Sequence, residues 1–381
     1  MTTTKNNEHN KLNVPNLRFP EFQGEWEKCI LGDITENFNL RNKDKIQYPM
    51  FSVTNDRGFV PQSEQFEGRD MVGEDIKAYK IIHTNDFAYN PARINVGSIA
   101  MYTGEKPCMI SSLYVCFKTT KEVNNEWLMQ LLKTPKMNYY YNVNGEGGVR
   151  VYLFYPNFAR IRMSIPRIEE QKKIAKLLNL IDERIATQNK IIEDLKKLKS
   201  AISENLFKDV KGNIVMLSEI CEIIKGKQIN GEFLSESGKY YVMNGGTEPS
   251  GYYSDYNVEA NTISISEGGN SCGYIQFNPS PFWSGGHCYT IQKIADNVDN
   301  LYLYHYLKSQ EDAIMKLRIG SGLPNIQKKD LAMFKIKIPA VEQQRTISTF
   351  LSSLERKAEI EEMLLNAMKK EKQYLLRQMF L

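Results

Sequence analysis

Two long stretches of the chain repeat apolar residues at alternating spacings of four and three. The first stretch is residues 165–207 and the second is residues 338–380. The apolar positions are 174, 178, 181, 185, 192, 195, 202 and 206 in the first, and 347, 351, 354, 358, 365, 368, 375 and 379 in the second. This heptad pattern predicts helices that pair along an apolar seam. Because neither stretch contains Gly or Pro after its opening Ile-Pro, each is predicted to be one helix of roughly 60 Å.

The two stretches are copies of one another. They align without a gap at an offset of 173, and ten of the 43 positions are identical. Polar residues interrupt both seams at matching positions, which are Gln188 and Lys199 in the first copy and Glu361 and Lys372 in the second. Helices that share a seam and its interruptions are expected to be partners in one coiled coil. The alternative is that each helix packs only on its own domain.

A strand-rich body precedes each helix. Leu31-Gly-Asp-Ile-Thr-Glu36 resembles Leu217-Ser-Glu-Ile-Cys-Glu222 at an offset of 186, so the first body is a net 13 residues longer than the second. Short runs of β-branched and aromatic residues between turn-forming residues predict mixed bodies with many strands and a few helices. The predicted strands are Ala78–Ile82, Asp86–Tyr89, Ser98–Tyr102, Leu113–Lys118, Thr262–Ser266, Gly273–Phe277 and Cys288–Gln292, and the predicted short helices are Asn125–Lys133 and Leu301–Lys308.

These patterns predict an α+β protein in which one body-plus-helix unit is used twice. The predicted segments are an N-terminal tail (1–20), a first body (21–165), a central helix (166–208), a second body (209–338) and a distal helix (339–381). The helices are alike, whereas the bodies have diverged. We infer that the helices perform one common task and that the bodies perform two different ones.

Composition narrows the possible functions. Lys and Arg number 49 against 45 Asp and Glu, and the resulting net charge of +4 excludes a uniformly basic DNA-coating protein, although not a DNA binder with one basic face. Six Cys without a C-x-x-C motif and only four His argue against a structural zinc site and indicate a reducing, cytoplasmic compartment. No apolar run reaches 18 residues, so we expect no membrane span.

Motifs for catalysis are weak. Asn278-Pro-Ser-Pro-Phe282 resembles the tetrad of amino-group methyltransferases, but Ser280 interrupts it and no Gly-rich cofactor turn precedes it. Asp75-Ile-Lys77 matches a nuclease pattern that is common by chance. We therefore predict no catalytic and no metal-binding residue. The alternative to a non-catalytic DNA-binding function is a standalone DNA methyltransferase or nuclease, and a coiled-coil adaptor that binds only proteins is a third possibility.

Polar loops are the better candidates for a binding function. Residues 90–97 (NPARINVG) correspond to residues 266–273 (SEGGNSCG), and both end in Gly. Arg and Asn side chains can read guanine and adenine edges, and Glu and Asn can read cytosine and adenine. A second pair of loops, residues 147–152 and 320–328, combines Gly with residues suited to phosphate contacts.

The predicted DNA-binding residues come from these loops and their flanks. They are Tyr89, Asn90, Arg93, Asn95, Arg150, Tyr152, Ser266, Glu267, Asn270, His287, Asn325 and Lys328. The alternative for each is an ordinary polar turn residue. Tyr139-Tyr-Tyr141 is a further candidate, either as a base-stacking surface or as a helix face against the core.

Several of these features together resemble the specificity subunit of type I restriction–modification enzymes. They are the opening Val14-Pro-Asn-Leu-Arg-Phe-Pro-Glu-Phe22 with Trp26, the Leu-Gly-Asp strand start and the twice-used Ile-Pro-x-x-Glu-x-Gln helix entry. The resemblance extends from about residue 14 to the end. Gly320-Ser-Gly-Leu-Pro324 is close to the family's pattern before the helix, whereas Gly147-Gly-Val-Arg-Val151 lacks the Pro, so its loop geometry stays open.

The resemblance implies a non-catalytic DNA reader. Two target-recognition domains would each read one half of a bipartite, asymmetric site in double-stranded DNA. Two antiparallel helices would set the spacer and dock two modification subunits, which would carry S-adenosylmethionine and methylate adenine N6. Two restriction subunits would add translocation and cleavage that depend on ATP and Mg²⁺. No cofactor is expected in this chain.

Overall fold

The computed structural model describes residues 13–65, 76–147, 151–320, 322 and 324–381. These residues form helices together with mostly antiparallel sheets, which confirms the predicted α+β class. The chain divides into two compact units. The first comprises Met1–Thr187 and Leu365–Leu381, and the second comprises Gln188–Leu364. Each unit therefore holds one body and a part of each long helix.

The first unit is built around a four-stranded antiparallel sheet. In spatial order its strands are Thr35–Phe38, Val115–Thr119, Phe87–Tyr89 and Ile99–Met101. Three antiparallel strand pairs flank it: Glu27–Ile30 with Arg162–Ile165, Phe51–Thr54 with Gly58–Pro61, and Lys80–Ile82 with Cys108–Ile110. The short helices are Leu31–Ile34, Gln62–Gln65, Asn125–Leu132, Pro135–Asn144 and Tyr155–Ala159, with single 3₁₀ turns at Ile76–Ala78 and Ile94–Val96.

Aromatic side chains fill the core of the first unit. Phe87 and Phe117 lie opposite each other on neighbouring strands and stack with ring centroids 4.9 Å apart. Trp127, on the helix Asn125–Leu132, is fully buried and packs against Phe380 at the end of the chain. Burial of such large rings dominates the stabilisation of a core of this kind. The C-terminal segment is therefore part of the hydrophobic core of the first unit.

The second unit repeats the same sheet. Its strands, in the matching spatial order, are Glu222–Lys225, Cys288–Gln292, Thr262–Ser266 and Ile275–Asn278. The other strands are Asn213–Met216 paired with Lys335–Ile338, and Tyr252–Tyr253, Tyr240–Met243 and Trp283–Ser284 in a three-stranded sheet. The short helices are Leu217–Ile220, Asn300–Ser309, Glu311–Met315 and Lys328–Ala332, with a 3₁₀ turn at Gly231–Phe233.

Two long helices follow the two bodies. The central helix is Ile168–Asp209 and the distal helix is Val341–Gln378, with 42 and 38 residues respectively. Pro166 and Pro339 stand two residues before them, where proline favours extended backbone in the preceding residue and sets the helix boundary. None of the predicted seam positions is exposed. The heptad pattern therefore identified the buried face of both helices.

The polar residues that interrupt the seam of the central helix have polar partners on the distal helix in the second unit. Gln188 Nε2 donates to Glu361 Oε2 at 2.6 Å, and Lys199 Nζ lies 2.7 Å from Glu355 Oε1. Lys199 follows Gln188 along the central helix, whereas its partner Glu355 precedes Glu361 along the distal helix. The two helices run antiparallel in this unit.

The same ion pair occurs in the first unit. Lys372 Nζ lies 2.5 Å from Asp182 Oδ1. At the repeat offset of 173, Lys372 corresponds to Lys199 and Asp182 corresponds to Glu355. Polar pairs inside an apolar seam favour one register over the alternatives, because a shift of the helices would leave the charges without partners.

The glutamine of the twice-used Ile-Pro-x-x-Glu-x-Gln motif joins each long helix to its body. Gln171 Oε1 accepts the backbone N–H of Asn124 at 2.8 Å, and Gln344 Oε1 accepts the backbone N–H of Asp299 at 2.8 Å. Asn124 and Asp299 are the N-cap residues of the body helices. Both amides are also buried and donate to backbone carbonyls on either side. The motif is therefore structural.

Candidate nucleic-acid interface

The first pair of predicted loops shares one backbone framework. The backbone N–H of Asn90 donates to the carbonyl of Ser98 at 3.0 Å, and that of Ser266 donates to the carbonyl of Tyr274 at 2.9 Å. The shared final glycines, Gly97 and Gly273, adopt φ of +102° and +94°. A Cβ at Gly97 would lie 2.9 Å from the carbonyl oxygen of Asn55, so glycine is required there by both conformation and space.

The second pair of loops is closed in the same way. Glu146 and Tyr152 exchange two backbone hydrogen bonds of 2.8 Å, and Ile319 and Asn325 exchange two of 2.9 and 3.0 Å. The two closures lie at the repeat offset of 173. The first copy therefore keeps the closure at the ends of its loop without the proline, whereas residues 148–150 between them lie outside the described residues. Arg150 lies outside the described residues.

In each unit the two loops lie side by side. Leu153 N–H donates to the carbonyl of Pro91 at 2.9 Å, and Ile326 N–H donates to the carbonyl of Glu267 at 2.8 Å. We call residues 90–98 with 146–153 the first loop cluster, and residues 266–274 with 319–326 the second loop cluster. Loops that project from a rigid sheet are the usual place for recognition residues.

The first loop cluster exposes part of the predicted set. Arg93 is exposed, and Tyr152 is 38% exposed and stacks on Phe154, which is itself 49% exposed. Asn95 is half-buried and donates its amide to Asn142 Oδ1 at 3.0 Å. The exposed groups thus include a guanidinium and, with the flanking Phe154, a pair of aromatic rings, which are suited to base edges, phosphates and base stacking.

Two predicted residues of the first unit are structural. Tyr89 is fully buried between Phe117 and Phe158, and this burial raises the pKa of its hydroxyl well above the usual range. The prediction that it contacts DNA is wrong for this structure, because the strand Phe87–Tyr89 turns it into the core. Asn90 is half-buried, and its side-chain oxygen accepts the backbone N–H of Ala92 at 3.0 Å, which shapes the loop.

The second loop cluster brings most of its predicted residues together. Asn270 and Asn325 are exposed, and the segments that carry them are joined by the hydrogen bond from Gly269 N–H to the carbonyl of Pro324 at 3.0 Å. Lys328 is exposed at the start of the helix Lys328–Ala332. Exposed amides and an ammonium group on adjoining loops fit contacts to base edges and phosphates.

Ser266 and Glu267 lie beneath this surface. Ser266 is buried, and its hydroxyl donates to the carbonyl of Gly245 at 2.5 Å. Glu267 is also buried, and its Oε1 accepts from Lys225 Nζ at 2.6 Å and from the Tyr289 hydroxyl at 3.0 Å. Direct contact of either side chain with DNA is contradicted by this burial. Burial and the neighbouring carboxylate raise the pKa of Tyr289 well above its usual range.

The sequence prediction missed a third loop beside the second cluster. Asn244 Oδ1 accepts the backbone N–H of His287 at 3.2 Å, and Ser271 Oγ donates to the carbonyl of Gly245 at 2.7 Å. Gly245 has φ of +85°, and a Cβ there would lie 2.7 Å from the carbonyl oxygen of His287. The Asn-Gly-Gly sequence indicated a turn, but no local signal placed this turn against residues 266–273.

The weak enzyme motifs have structural explanations. The buried Asn278 donates its amide to the carbonyl of Thr262 and to Ser264 Oγ, both at 2.9 Å, and so belongs to the sheet. Asp75 lies outside the described residues. In the part of the chain that the structure describes, no three His, Cys, Asp or Glu side chains are grouped as metal ligands. Of the three tyrosines at 139–141, Tyr139 is 63% exposed and Tyr141 is buried.

Comparison with known proteins identifies the family. A family model described as the type I restriction modification DNA specificity domain matches residues 23–197 and 210–370. The chain belongs to this family. The resemblance inferred from the sequence is thereby confirmed, and the family model occurs twice, once in each repeat. Specificity subunits of type I systems bind DNA and assemble with other subunits, and this chain is such a subunit.

Individual relatives agree with this assignment. A putative type I restriction enzyme MjaX specificity subunit from Methanocaldococcus jannaschii is 25% identical over 393 residues, which cover 91% of each chain. A putative type I specificity subunit from Mycoplasma pneumoniae is 34% identical over 145 residues, or 38% of each chain. The crystal structure of a type I S subunit from Mycoplasma genitalium has a TM-score of 0.66 at 17% identity, over 97% of this chain and 99% of that one, and so shares its fold.

Among the described residues, every helix is too short or too polar to cross a bilayer.

Proposed function

We propose that each body of this specificity subunit reads one half of a bipartite, asymmetric DNA site. The observation that carries the proposal is the pair of loop clusters. They share their backbone closures, but they present different side chains: Arg93 with Tyr152 in the first cluster, and Asn270 with Asn325 in the second. A shared framework with different exposed groups suits two readers of different sequences.

The long helices would set the distance between the two half-sites. A helix of 42 residues is about 63 Å long, which is close to two turns of DNA at roughly 34 Å each. The repeated ion pairs and the Gln188–Glu361 pair favour one register of the coil. A fixed register is required if the helices are to hold the two half-sites at a constant distance. The two similar helices would also offer equivalent docking surfaces to two modification subunits.

Catalysis would reside in other subunits. The two modification subunits would carry S-adenosylmethionine and methylate adenine N6, and two restriction subunits would use ATP and Mg²⁺. This chain would hold no cofactor. The exposed side chains of both loop clusters are suited to hydrogen bonding and stacking, and such groups can select a sequence without a chemical step.

The proposal is tested by methylome sequencing of cells with and without this chain, both containing the modification subunit. We expect one bipartite motif, with adenine methylated in each half, to disappear when the chain is absent. An unchanged methylome would contradict the proposal. Methyl transfer or DNA cleavage by the purified chain alone would contradict it as well, because catalysis would then lie in this chain.

A further inference from the structure

A carboxylate is buried at the centre of the second loop cluster. Glu267 is 6% exposed, and its Oε1 accepts from Lys225 Nζ at 2.6 Å and from the Tyr289 hydroxyl at 3.0 Å. Its Oε2 is buried and has no hydrogen-bond partner, and His287 Nδ1 lies 3.7 Å away, beyond hydrogen-bond distance. Burial of a charge is unfavourable unless it is paired, so this residue requires an explanation.

The partners of this carboxylate reach the surface. The side chains of Lys225 and His287 are 52% and 65% exposed, whereas that of Glu267 is 8% exposed. Lys225 ends the strand Glu222–Lys225, and His287 immediately precedes the strand Cys288–Gln292 beside it. The buried anion therefore holds an ammonium group from one strand end, and its second oxygen faces an imidazole that precedes the next strand.

The first unit lacks the whole arrangement. Tyr89 and Ile265 are equivalent, because each directly precedes one of the corresponding loops at 90–97 and 266–273. Tyr89 pairs with Val115 and Ile265 pairs with Tyr289, so Val115 is the counterpart of Tyr289. The same registers and loop closures give the counterparts of the other members. The positions in the first unit that correspond to Lys225, Glu267, His287 and Tyr289 are Asn39, Pro91, Leu113 and Val115.

The fold does not depend on this cluster. The sheet keeps its strand order in both units, and the carbonyls of Pro91 and Glu267 accept equivalent backbone hydrogen bonds. The side chains differ between the two units at all four positions of the cluster. A polar group that appears in one reader and is absent from the other points to what that reader recognises.

We propose that Glu267 is a positioning residue for recognition of the second half-site: it holds Lys225 against a DNA phosphate, and it does not touch a base. This inference rests on the proposed function. It replaces the sequence prediction that Glu267 reads a base directly. Lysine is a flexible point charge and a common phosphate ligand, and a buried carboxylate restricts where that charge can lie.

The sign of one substitution separates positioning from simple electrostatics. Glu267→Gln removes a negative charge close to a polyanion, and Coulomb repulsion alone therefore predicts tighter DNA binding. Loss of positioning predicts weaker binding, because Lys225 is then held by a neutral amide oxygen and no longer by a carboxylate. Glutamine is close in size to glutamate and can still accept from Tyr289, so the core packing is retained.

The test measures DNA affinity against salt concentration for the complex of the full chain with its modification subunits. We expect Glu267→Gln and Lys225→Met each to weaken binding and to lower the log–log salt slope by about one, which is one phosphate contact. The double variant should lose no more than either single variant. Lys293→Met is the matched control, because Lys293 pairs with Glu222 at 2.9 Å at the other end of the same strand pair.

Several outcomes would contradict the positioning role of Glu267 or the proposed function. Tighter binding by Glu267→Gln, additive losses in the double variant, or a changed base preference in Glu267→Gln alone would overturn the positioning role. Equal effects of Lys293→Met and Lys225→Met would also overturn it. If the complex that contains the unsubstituted chain shows no sequence preference, the proposed function itself fails. Thermal unfolding of each variant identifies a loss of affinity that comes from misfolding. Tyr289→Phe removes the hydroxyl that bonds to Glu267 and to the carbonyl of Ile326, keeps the carboxylate beside Lys225, and should give a smaller loss of affinity in the same direction.

Discussion

Single polar residues in this protein divide into those that hold the framework and those that face outward. Gln344 illustrates the first kind: it is fully buried and joins the distal helix to the N-cap of the helix Asn300–Ser309. Arg93 illustrates the second kind, since it is exposed on a loop whose backbone is fixed by its own hydrogen bonds. Substitution should therefore affect folding in one case and DNA recognition in the other.

Gln344→Ala should destabilise the second unit by about 2–3 kcal/mol, because it leaves the half-buried backbone N–H of Asp299 and two carbonyls without partners. Denaturant unfolding followed by circular dichroism measures the change. Gln343→Ala is the control, since Gln343 is adjacent, exposed and of the same type. Equal effects of the two substitutions would show that the hydrogen bonds of Gln344 contribute nothing.

Arg93→Ala should weaken specific DNA binding by about 1–3 kcal/mol and relax the preference in one half-site, without a change in thermal unfolding. Competition binding with DNA altered in either half-site measures both effects. Arg160→Ala is the control, because Arg160 is also exposed in the first unit but follows the helix Tyr155–Ala159, outside the loop cluster. A loss of affinity that is equal for every sequence would instead assign Arg93 to a phosphate.

The sequence could predict which loops matter but not which way each side chain points. Gly97 and Gly273 were recognisable because a positive φ leaves few alternatives to glycine. Tyr89 was predicted as the last residue of a strand beside a loop, but the sequence did not indicate that its side chain points into the core. Glu267 is separated from Lys225 by 42 positions, so their ion pair had no local signal.

Elements were predictable where their periodicity was long. The heptad pattern located both long helices, since many residues in each repeat the same contact, and the strand Cys288–Gln292 was predicted with its observed bounds. The three-stranded sheet with Tyr240–Met243 was missed, because its strands are short and lack alternation. Polar breaks in the heptad pattern were visible in the sequence, but their pairing required the antiparallel register.

Exchange of charges within the coil tests that register. Lys199→Glu places two carboxylates together, and Glu355→Lys places two ammonium groups together, so each should lower the denaturation midpoint. The double variant should recover most of the loss, with a coupling energy of about 1 kcal/mol. The same exchange at Lys197 and Glu193, an exposed pair on one helix, should have little effect. Absence of recovery would mean that the Lys199–Glu355 pair does not select the register.

At the scale of the whole molecule, the proposed function joins two divergent readers to one repeated coil. The modest net charge of +4 fits this proposal, because DNA contact through two loop clusters would require little net positive charge and partner subunits could supply further contacts. Shared backbone closures and unlike side chains allow the half-sites to diverge while the coil stays constant. Spacer length and half-site sequence should therefore vary independently.

Deletion of one heptad from each helix, residues 185–191 together with 358–364, should shorten the spacer. Seven helical residues span about 10 Å, which is close to three base pairs. The deletion removes the Gln188–Glu361 pair and retains both lysine ion pairs, so the remaining seam stays in register. Methylome sequencing of cells that carry the shortened chain measures the spacer length. An unchanged spacer length with intact half-sites would contradict the proposal that the long helices set it.

The most direct test of two independent readers is exchange of residues 21–165 for the first body of another family member. Methylome sequencing then gives both half-sites and the spacer in one measurement. We expect one half-site to change to that of the donor, while the other half-site and the spacer length stay as they were. A change in both half-sites, or in neither, would contradict the claim that each body reads its own half.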